Sequence, residues 1–404
     1  MATPHWPTWS PWVAMLFTAA SYGKMAGAFP TAGSTYTYAQ SSLNEHVGFL
    51  AGWAMILDYF LIPLLSVVYA GLTAARLLPR LPYSFWALLF TVSITIVNVR
   101  GIRVTAQASR VMMAIMTFSA ALFVALAAFH VVQTHGWSGL WVGTAILNRS
   151  SFALRPLMLG AGIAALSYIG FDAVSTLAED TQNLERNIAI ATVAVFIIQT
   201  VFCFLTVYLA ALVWPAYTSF PESETAILDI SRILGGAWML GWITFVLPVA
   251  GLASALTGQA GASRLLFGMG RDGVIPRSIF GYVSPRYSTP TRSIHVMAAF
   301  TLIGSLLMRF QLAVELLNFG AFVGFVLVNL SVIRHYYFRR RERAGLGVLT
   351  NLVFPLQGAL VCLYVWMSLT NKAKAVGFIW LGLGVIYLAV LTRGFRNRPV
   401  SFKI

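Results

Sequence analysis

Eleven long apolar runs constrain this 404-residue chain more than any other feature. They fall at 11–28, 46–78, 82–99, 106–132, 153–177, 188–214, 236–270, 291–309, 312–334, 350–370 and 376–392. About 20 helical residues cross the hydrocarbon of a bilayer. Backbone polar groups in that medium are satisfied only within helices or closed barrels. Runs of this length specify helices, so the chain is read as an all-α polytopic membrane protein with about eleven transmembrane helices.

The composition agrees. Charged residues make up 10% of the chain and hydrophobic ones 58%, whereas soluble domains carry about 25% charged residues. Two runs are too long for straight, perpendicular spans. The run 46–78 contains Pro63 and is expected to tilt or kink. The run 236–270, rich in Gly and Ala (GLASALTGQAGAS), is expected to leave the membrane at its end. Residues 1–10 carry no basic stretch of the kind that opens a secretory signal.

A net charge of +15 raises nucleic acid as a partner, but the basic residues lie in short segments between apolar runs. If the first run ends inside, the segments 24–45, 100–110, 178–187, 271–292 and 335–349 and the C-terminus are cytoplasmic. With Arg264 and Arg334 at inner helix ends, that side holds nineteen Lys and Arg against eight on the other, a positive-inside bias. The cluster RHYYFRRRER (334–343) is read first as a topology determinant and second as a lipid or partner site. The N-terminus then lies outside, ahead of an odd number of spans, so a preceding segment is expected.

Cys203 and Cys362 sit within apolar runs and read as packing residues. The histidines lack HExxH spacing, and no GxxxxGK[ST] loop is present. No metal, cofactor or nucleic acid is expected. A membrane-embedded hydrolase would need a nucleophile–base pair or paired carboxylates, which do not stand out, and a sensor would need a sizeable soluble domain.

The chemistry concentrates at 158–182, MLGAGIAALSYIGFDAVSTLAEDTQ. Asp172 arrives before the apolar run ends, and a carboxylate at that depth costs roughly 2.5–3.5 kcal/mol on insertion scales. It must face protein or water. Gly160, Gly162 and Gly170 favour close helix contact or local unwinding. A helix opened near Gly170 would offer free carbonyls to a cationic group, beside a carboxylate. Asp172 serves equally as an interhelical hydrogen-bond partner on this reading alone. Asp58, well inside the second run, is a second candidate. Glu315 lies at a helix start, where the dipole accounts for an acid, and Glu179 and Asp180 read as inner-loop residues that pair with Arg186 or serve the site.

Four segments resemble a known family. SYGKMAGAFPTAGSTYTYAQSSLNEHVGFLAGWAMILDYFLIPL (21–64) looks like the second-to-third-helix region of the amino acid–polyamine–organocation permeases. ALSYIGFDAVSTLAEDTQN (165–183) resembles their interrupted sixth helix. ASRLLFGMGRDGVIPRSIFGYVSPRYSTP (262–290) resembles the end of the eighth helix and its loop, and NFGAFVGFVLVNLSV (318–332) the tenth. Within the family, SYGK, AGSTYTYAQ, HVGF, LDYF, GFDAVSTL and GRDGV resemble bacterial putrescine importers.

The resemblance implies a LeuT-like inverted-repeat transporter fold in one permease domain. Residues 11–334 would form the repeat core and 350–392 two additional helices. Nothing matches the family's first helix, so the resemblance implies a permease lacking it. The site would lie near the midplane, formed here by Ser167, Tyr168, Ile169, Gly170, Phe171 and Asp172, with Asp58 nearby and Glu179 in substrate or proton coupling. The implied function is import of a small cationic amine, putrescine first, coupled to protons, across a bacterial cytoplasmic membrane with the C-terminus inside. A neutral or acidic amino acid permease and an inactive truncated permease remain as alternatives.

Overall fold

A computed structural model describes residues 9–29, 34–142, 170, 184–216, 219–220, 226–271, 273 and 275–396. Every regular element among them is helical. In chain order these are α1 (Trp9–Ala28), α2 (Ser34–Ser42), α3 (Glu45–Leu77), α4 (Tyr83–Val99), α5 (Ile102–His135) and α6 (Leu184–Val213). They continue as α7 (Ala226–Arg271), α8 (Arg277–Phe280), α9 (Thr291–Leu307), α10 (Phe310–Val332), α11 (Phe354–Met367) and α12 (Asn371–Leu391). π-Helical turns at Ile333–Arg339 and Leu349–Val353 extend α10 and precede α11. Seven of the described helices are long and apolar enough to cross a membrane, and α4 and α9 are shorter apolar helices. Each expected run except 153–177 falls on a helix, and that run lies outside the described residues apart from Gly170.

The bundle is built around α3, a single 33-residue helix that runs through Pro63. At 1.5 Å per residue it is about 50 Å long, well beyond the roughly 30 Å hydrocarbon core. It must tilt or project from the membrane. Its main neighbours are α7 and α10, and both approach through glycine. A Cβ on Gly251 of α7 would stand 2.9 Å from Ser66 O. One on Gly258 would stand 2.6 Å from Ile62 Cγ2 and 3.1 Å from Pro63 Cδ. On α10, a Cβ at Gly320 would meet Ala54 O at 2.5 Å and Leu57 Cβ at 3.0 Å. Small residues let helix backbones close in lipid, where dispersion and hydrogen bonds replace the hydrophobic driving force.

Buried polar side chains fix the remaining contacts. The Ser21 hydroxyl donates to Asn329 Oδ1 at 2.7 Å, and Asn329 Nδ2 donates to Thr18 Oγ1 at 3.0 Å and to Phe325 O at 2.9 Å, tying α1 to α10. Asn98 Nδ2 donates to Gln259 Oε1 at 2.8 Å and to Leu256 O at 3.1 Å. Thr105 donates to Asn98 Oδ1 at 3.0 Å, and Gln259 Nε2 donates to Thr95 Oγ1 at 3.0 Å. That set joins α4, α5 and α7. The indoles of Trp53 and Trp380 stack at 4.8 Å, and each donates to the other's carbonyl at 2.9 Å, which seats α12 on α3.

Three expectations are revised. Segment 24–45 is not a loop: α1 continues to Ala28, and residues 34–42 form a buried helix against α3 and α10. Its sequence, STYTYAQSS, is too polar for hydropathy to reveal. The Thr35 hydroxyl finds a partner inside, in a 2.5 Å hydrogen bond with the Tyr22 hydroxyl. Lys24 is accordingly no loop residue. Its ammonium donates to Thr350 O at 3.2 Å and Asn351 Oδ1 at 2.5 Å, while the Tyr336 hydroxyl donates to Lys24 O at 3.0 Å. Glu315 is held by more than a helix dipole, because the Thr370 hydroxyl at the N-cap of α12 donates to its carboxylate. Helix α7 extends to Arg271 and is kinked near its start, at Gly235 and Gly236 (φ −147° and 63°). Cys203 and Cys362 are free thiols, and Cys362 is buried beside Thr18.

Because the atom facing Gly320 is a main-chain carbonyl, relaxation there requires moving α3 itself. Gly320→Val is expected to cost about 1–3 kcal/mol by overpacking. A melting temperature several degrees below wild type in detergent would register it, and an unchanged melting temperature would refute this account of the α3–α10 contact.

Candidate functional site

A vacancy in the packing of the described residues lies where α3 and α7 part company with α5. A cavity of about 900 Å³ opens there, closed on further sides by Gly170 and by Phe310 and Leu317 of α10. Helical periodicity decides which α3 residues face it. Tyr59, Ile62, Ser66 and Tyr69 recur at three- and four-residue intervals along one stripe. The opposing α7 stripe is small and polar, with Gly251, Ser254, Thr257, Gly258 and Gly261 leading to Arg264. The short side chains leave the space, and the hydroxyls set its polarity.

Several of those hydroxyls are already engaged. Ser66 donates to Ser254 Oγ at 3.0 Å across the α3–α7 seam, and Thr257 donates to Ala253 O at 3.0 Å. Thr105 faces the cavity from α5 but belongs to the Asn98–Gln259 set behind the wall. The Ser109 hydroxyl is buried on the cavity wall without a hydrogen-bond partner, so it can serve a ligand. The glycines differ in what they tolerate. Gly258 is packed against Ile62 and Pro63, whereas a Cβ on Gly261 would sit 3.6 Å from the Tyr59 ring, an ordinary contact. A side chain at 261 can therefore enter the cavity without forcing the helices apart.

Gly170 has a φ of 116°. That is far from the helical value near −63° and within the region where only glycine is unstrained. The backbone is not helical at this residue, and nothing stands within 4 Å of where its Cβ would be. Ser167, Tyr168, Ile169, Phe171, Asp172 and Glu179 lie outside the described residues. Asp58 is fully buried in the middle of α3. It precedes Tyr59 by one residue and is not on the cavity-lining stripe; its backbone N–H lies 3.3 Å from a Cβ placed on Gly320 of α10. The structure thus brings Gly170 to the cavity and sets Asp58 against another helix.

Arg264 is the residue whose position the sequence misjudged. Counted as a charge at an inner helix end, it stands two turns before the end of α7 and lines the cavity, half-buried. The available signal was the stripe GLASALTGQAGASR, whose period of three and four carries Arg264 onto the face of Gly258 and Gly261. No three His, Cys, Asp or Glu side chains gather as a metal site among the described residues.

Known proteins carry the same pattern. Residues 9–390 match the amino acid permease family. The chain is 33% identical to the low-affinity putrescine importer PlaP of Escherichia coli (strain K12), over 95% of this chain and 85% of that protein. It is 26% identical to the branched-chain amino acid permease BcaP of Bacillus subtilis (strain 168), over 94% and 84% of the two chains. It is also 26% identical to a vacuolar cationic amino acid transporter of Arabidopsis thaliana, over 80% of this chain and 55% of that protein. A helical bundle of membrane-spanning length, a cavity at a non-helical glycine and a family match along almost the whole chain lead to one conclusion. The chain belongs to the amino acid permease family within the amino acid–polyamine–organocation superfamily, and it is a multi-pass membrane transporter of amino acids or amines, not an enzyme.

Proposed function

We propose that this transporter imports a small cationic amine, with putrescine as its substrate, driven by a proton gradient across a bacterial cytoplasmic membrane. Its C-terminus lies on the cytoplasmic side. The observation that carries this reading is the 33% identity, sustained over 95% of the chain, to a protein named as a putrescine importer. A diamine carries two positive charges and no carboxylate, so its site needs acceptors at both ends. On this reading main-chain carbonyls near Gly170, whose own backbone is not helical, would receive one ammonium. The carboxylate of Asp172 suits the other, with Asp58 and Glu179 as further acids. Tyr168 and Phe171 would pack the methylene chain and supply cation–π contacts of roughly 0.5–2 kcal/mol. A carboxylate that binds an ammonium in one protonation state and releases it in the other couples substrate to protons, and Glu179 or Asp172 fills that role.

A second reading is favoured by Arg264. A guanidinium on the cavity wall suits a bidentate carboxylate. The same positive charge disfavours an ammonium placed beside it. On this reading the substrate is an amino acid whose carboxylate meets Arg264, consistent with the likeness to a branched-chain amino acid permease.

Uptake into vesicles separates the two. Labelled putrescine is expected to accumulate saturably, unchanged, and to be lost when a protonophore collapses the gradient. Asp172→Asn is expected to cut that uptake at least tenfold with expression unchanged, and equal losses in both would make Asp172 a packing residue. Accumulation of leucine but not putrescine would install the second reading. Arg264→Gln sharpens the contrast: it should improve putrescine uptake under the first reading and abolish amino acid uptake under the second.

The cavity itself is tested by its glycines. Gly261→Leu is expected to block uptake while leaving the melting temperature near wild type, whereas Gly258→Leu should lower stability first, because Ile62 and Pro63 oppose it.

A further inference from the structure

The turn Arg100–Gly101 joins α4 to α5, with Gly101 at a φ of 114°. A distant segment is fastened against it. The Thr289 hydroxyl donates to Val99 O at 3.0 Å, and Tyr287 O lies 3.6 Å from the position of a Cβ on Gly101. Internal bonds brace that loop, Ser284 N–H to Thr289 O at 2.9 Å and Ser288 N–H to Ser284 O at 2.8 Å. Thr289 and Ser284 are buried while the arginines around them are exposed. Arg100 and Arg103 are therefore gathered at one end of the bundle with Arg277, Arg286 and Arg292, although almost two hundred positions separate the segments.

Neither 99–110 nor 275–292 contains an acidic residue. Arg292 is spent on the fold, donating to Ser278 O at 2.5 Å and lying 4.2 Å over the Tyr282 ring. Arg286 lies 5.2 Å over the Tyr287 ring and is exposed. Between the arginines stand exposed aliphatic side chains, Ile102, Val104, Ile279 and Val283. The RHYYFRRRER cluster is different: Arg339 and Arg343 donate to Ser41 O and Tyr337 O, and Arg340 pairs with Glu342.

Guanidinium groups interleaved with exposed aliphatics, at the common end of apolar spans, match the boundary between lipid headgroups and acyl chains. A soluble acidic partner would find no use for the aliphatics. We infer that Arg100, Arg103, Arg277 and Arg286 form a binding surface for the phosphate headgroups of anionic membrane lipids, a property independent of which substrate is carried.

The test uses the purified full chain in detergent, titrated with phosphatidylglycerol or phosphatidylcholine, with lipid retention read by native mass spectrometry and stability by melting temperature. Phosphatidylglycerol is expected to be retained and to stabilise, with an affinity that falls as salt rises, and phosphatidylcholine is not. Arg103→Gln with Arg286→Gln should weaken phosphatidylglycerol binding at least tenfold, at about fivefold per arginine near the surface. Arg341→Gln with Arg343→Gln, which removes equal charge elsewhere, should change it less than twofold. Arg103→Lys with Arg286→Lys should bind almost as wild type, which separates loss of charge from loss of fold. Equal loss in the two Gln pairs, equal retention of both lipids, no effect of salt, or the same stabilisation by inorganic phosphate would each overturn the inference.

Discussion

The close approach of α3 to α7 on one side and α10 on the other determines most of what the rest of the bundle can do. In lipid no hydrophobic force drives helices together, so contact depends on how near the backbones can come. Gly251, Gly258 and Gly320 set that distance, and each faces atoms that cannot yield cheaply, two of them main-chain carbonyls. With α3 pinned along both of these faces, its Tyr59–Tyr69 stripe is left as a wall for the cavity.

Polar side chains contribute register more than energy. Each interhelical hydrogen bond in a membrane averages about 0.6 kcal/mol, and the Asn329 and Asn98–Gln259 sets are correspondingly modest as stabilisers. Their value is geometric. Asn329 receives Ser21 and reaches Thr18, one turn apart on α1, so a slip of α1 by one turn would break both bonds. The reciprocal Trp53–Trp380 pair fixes α12 against α3 in the same way.

Much of this was legible in the chain because hydropathy reports what a helix is dissolved in. Each described span fell on an apolar run, and the glycine at 170 announced a backbone that side chains would resist. The failures share one cause. The helix at 34–42 is buried by hydroxyls bonded within the protein, and Lys24 is used by carbonyls from the far end of the chain. Hydropathy counts such groups as exposed, because it does not see the partners that make burial possible, which for Lys24 lie more than 300 residues away. Arg264 was misplaced for the same reason: its charge suggested a membrane boundary, and only the three-dimensional stripe on α7 places it on a cavity wall. The candidate site was legible at Gly170 and hidden at Ser66, Ser109, Ser254 and Arg264.

The amide pair behind the cavity has a mechanical consequence. Asn98 and Gln259 bind each other, and between them they also hold Thr95, Thr105 and the carbonyl of Leu256. Any displacement that parts α4 from α7 must leave buried amides without partners, at about 1–3 kcal/mol for each orphaned group. Movement of α4 and α7 as one unit avoids that cost. Helix α3, held to α7 through Gly251 and Gly258, would travel with the same unit.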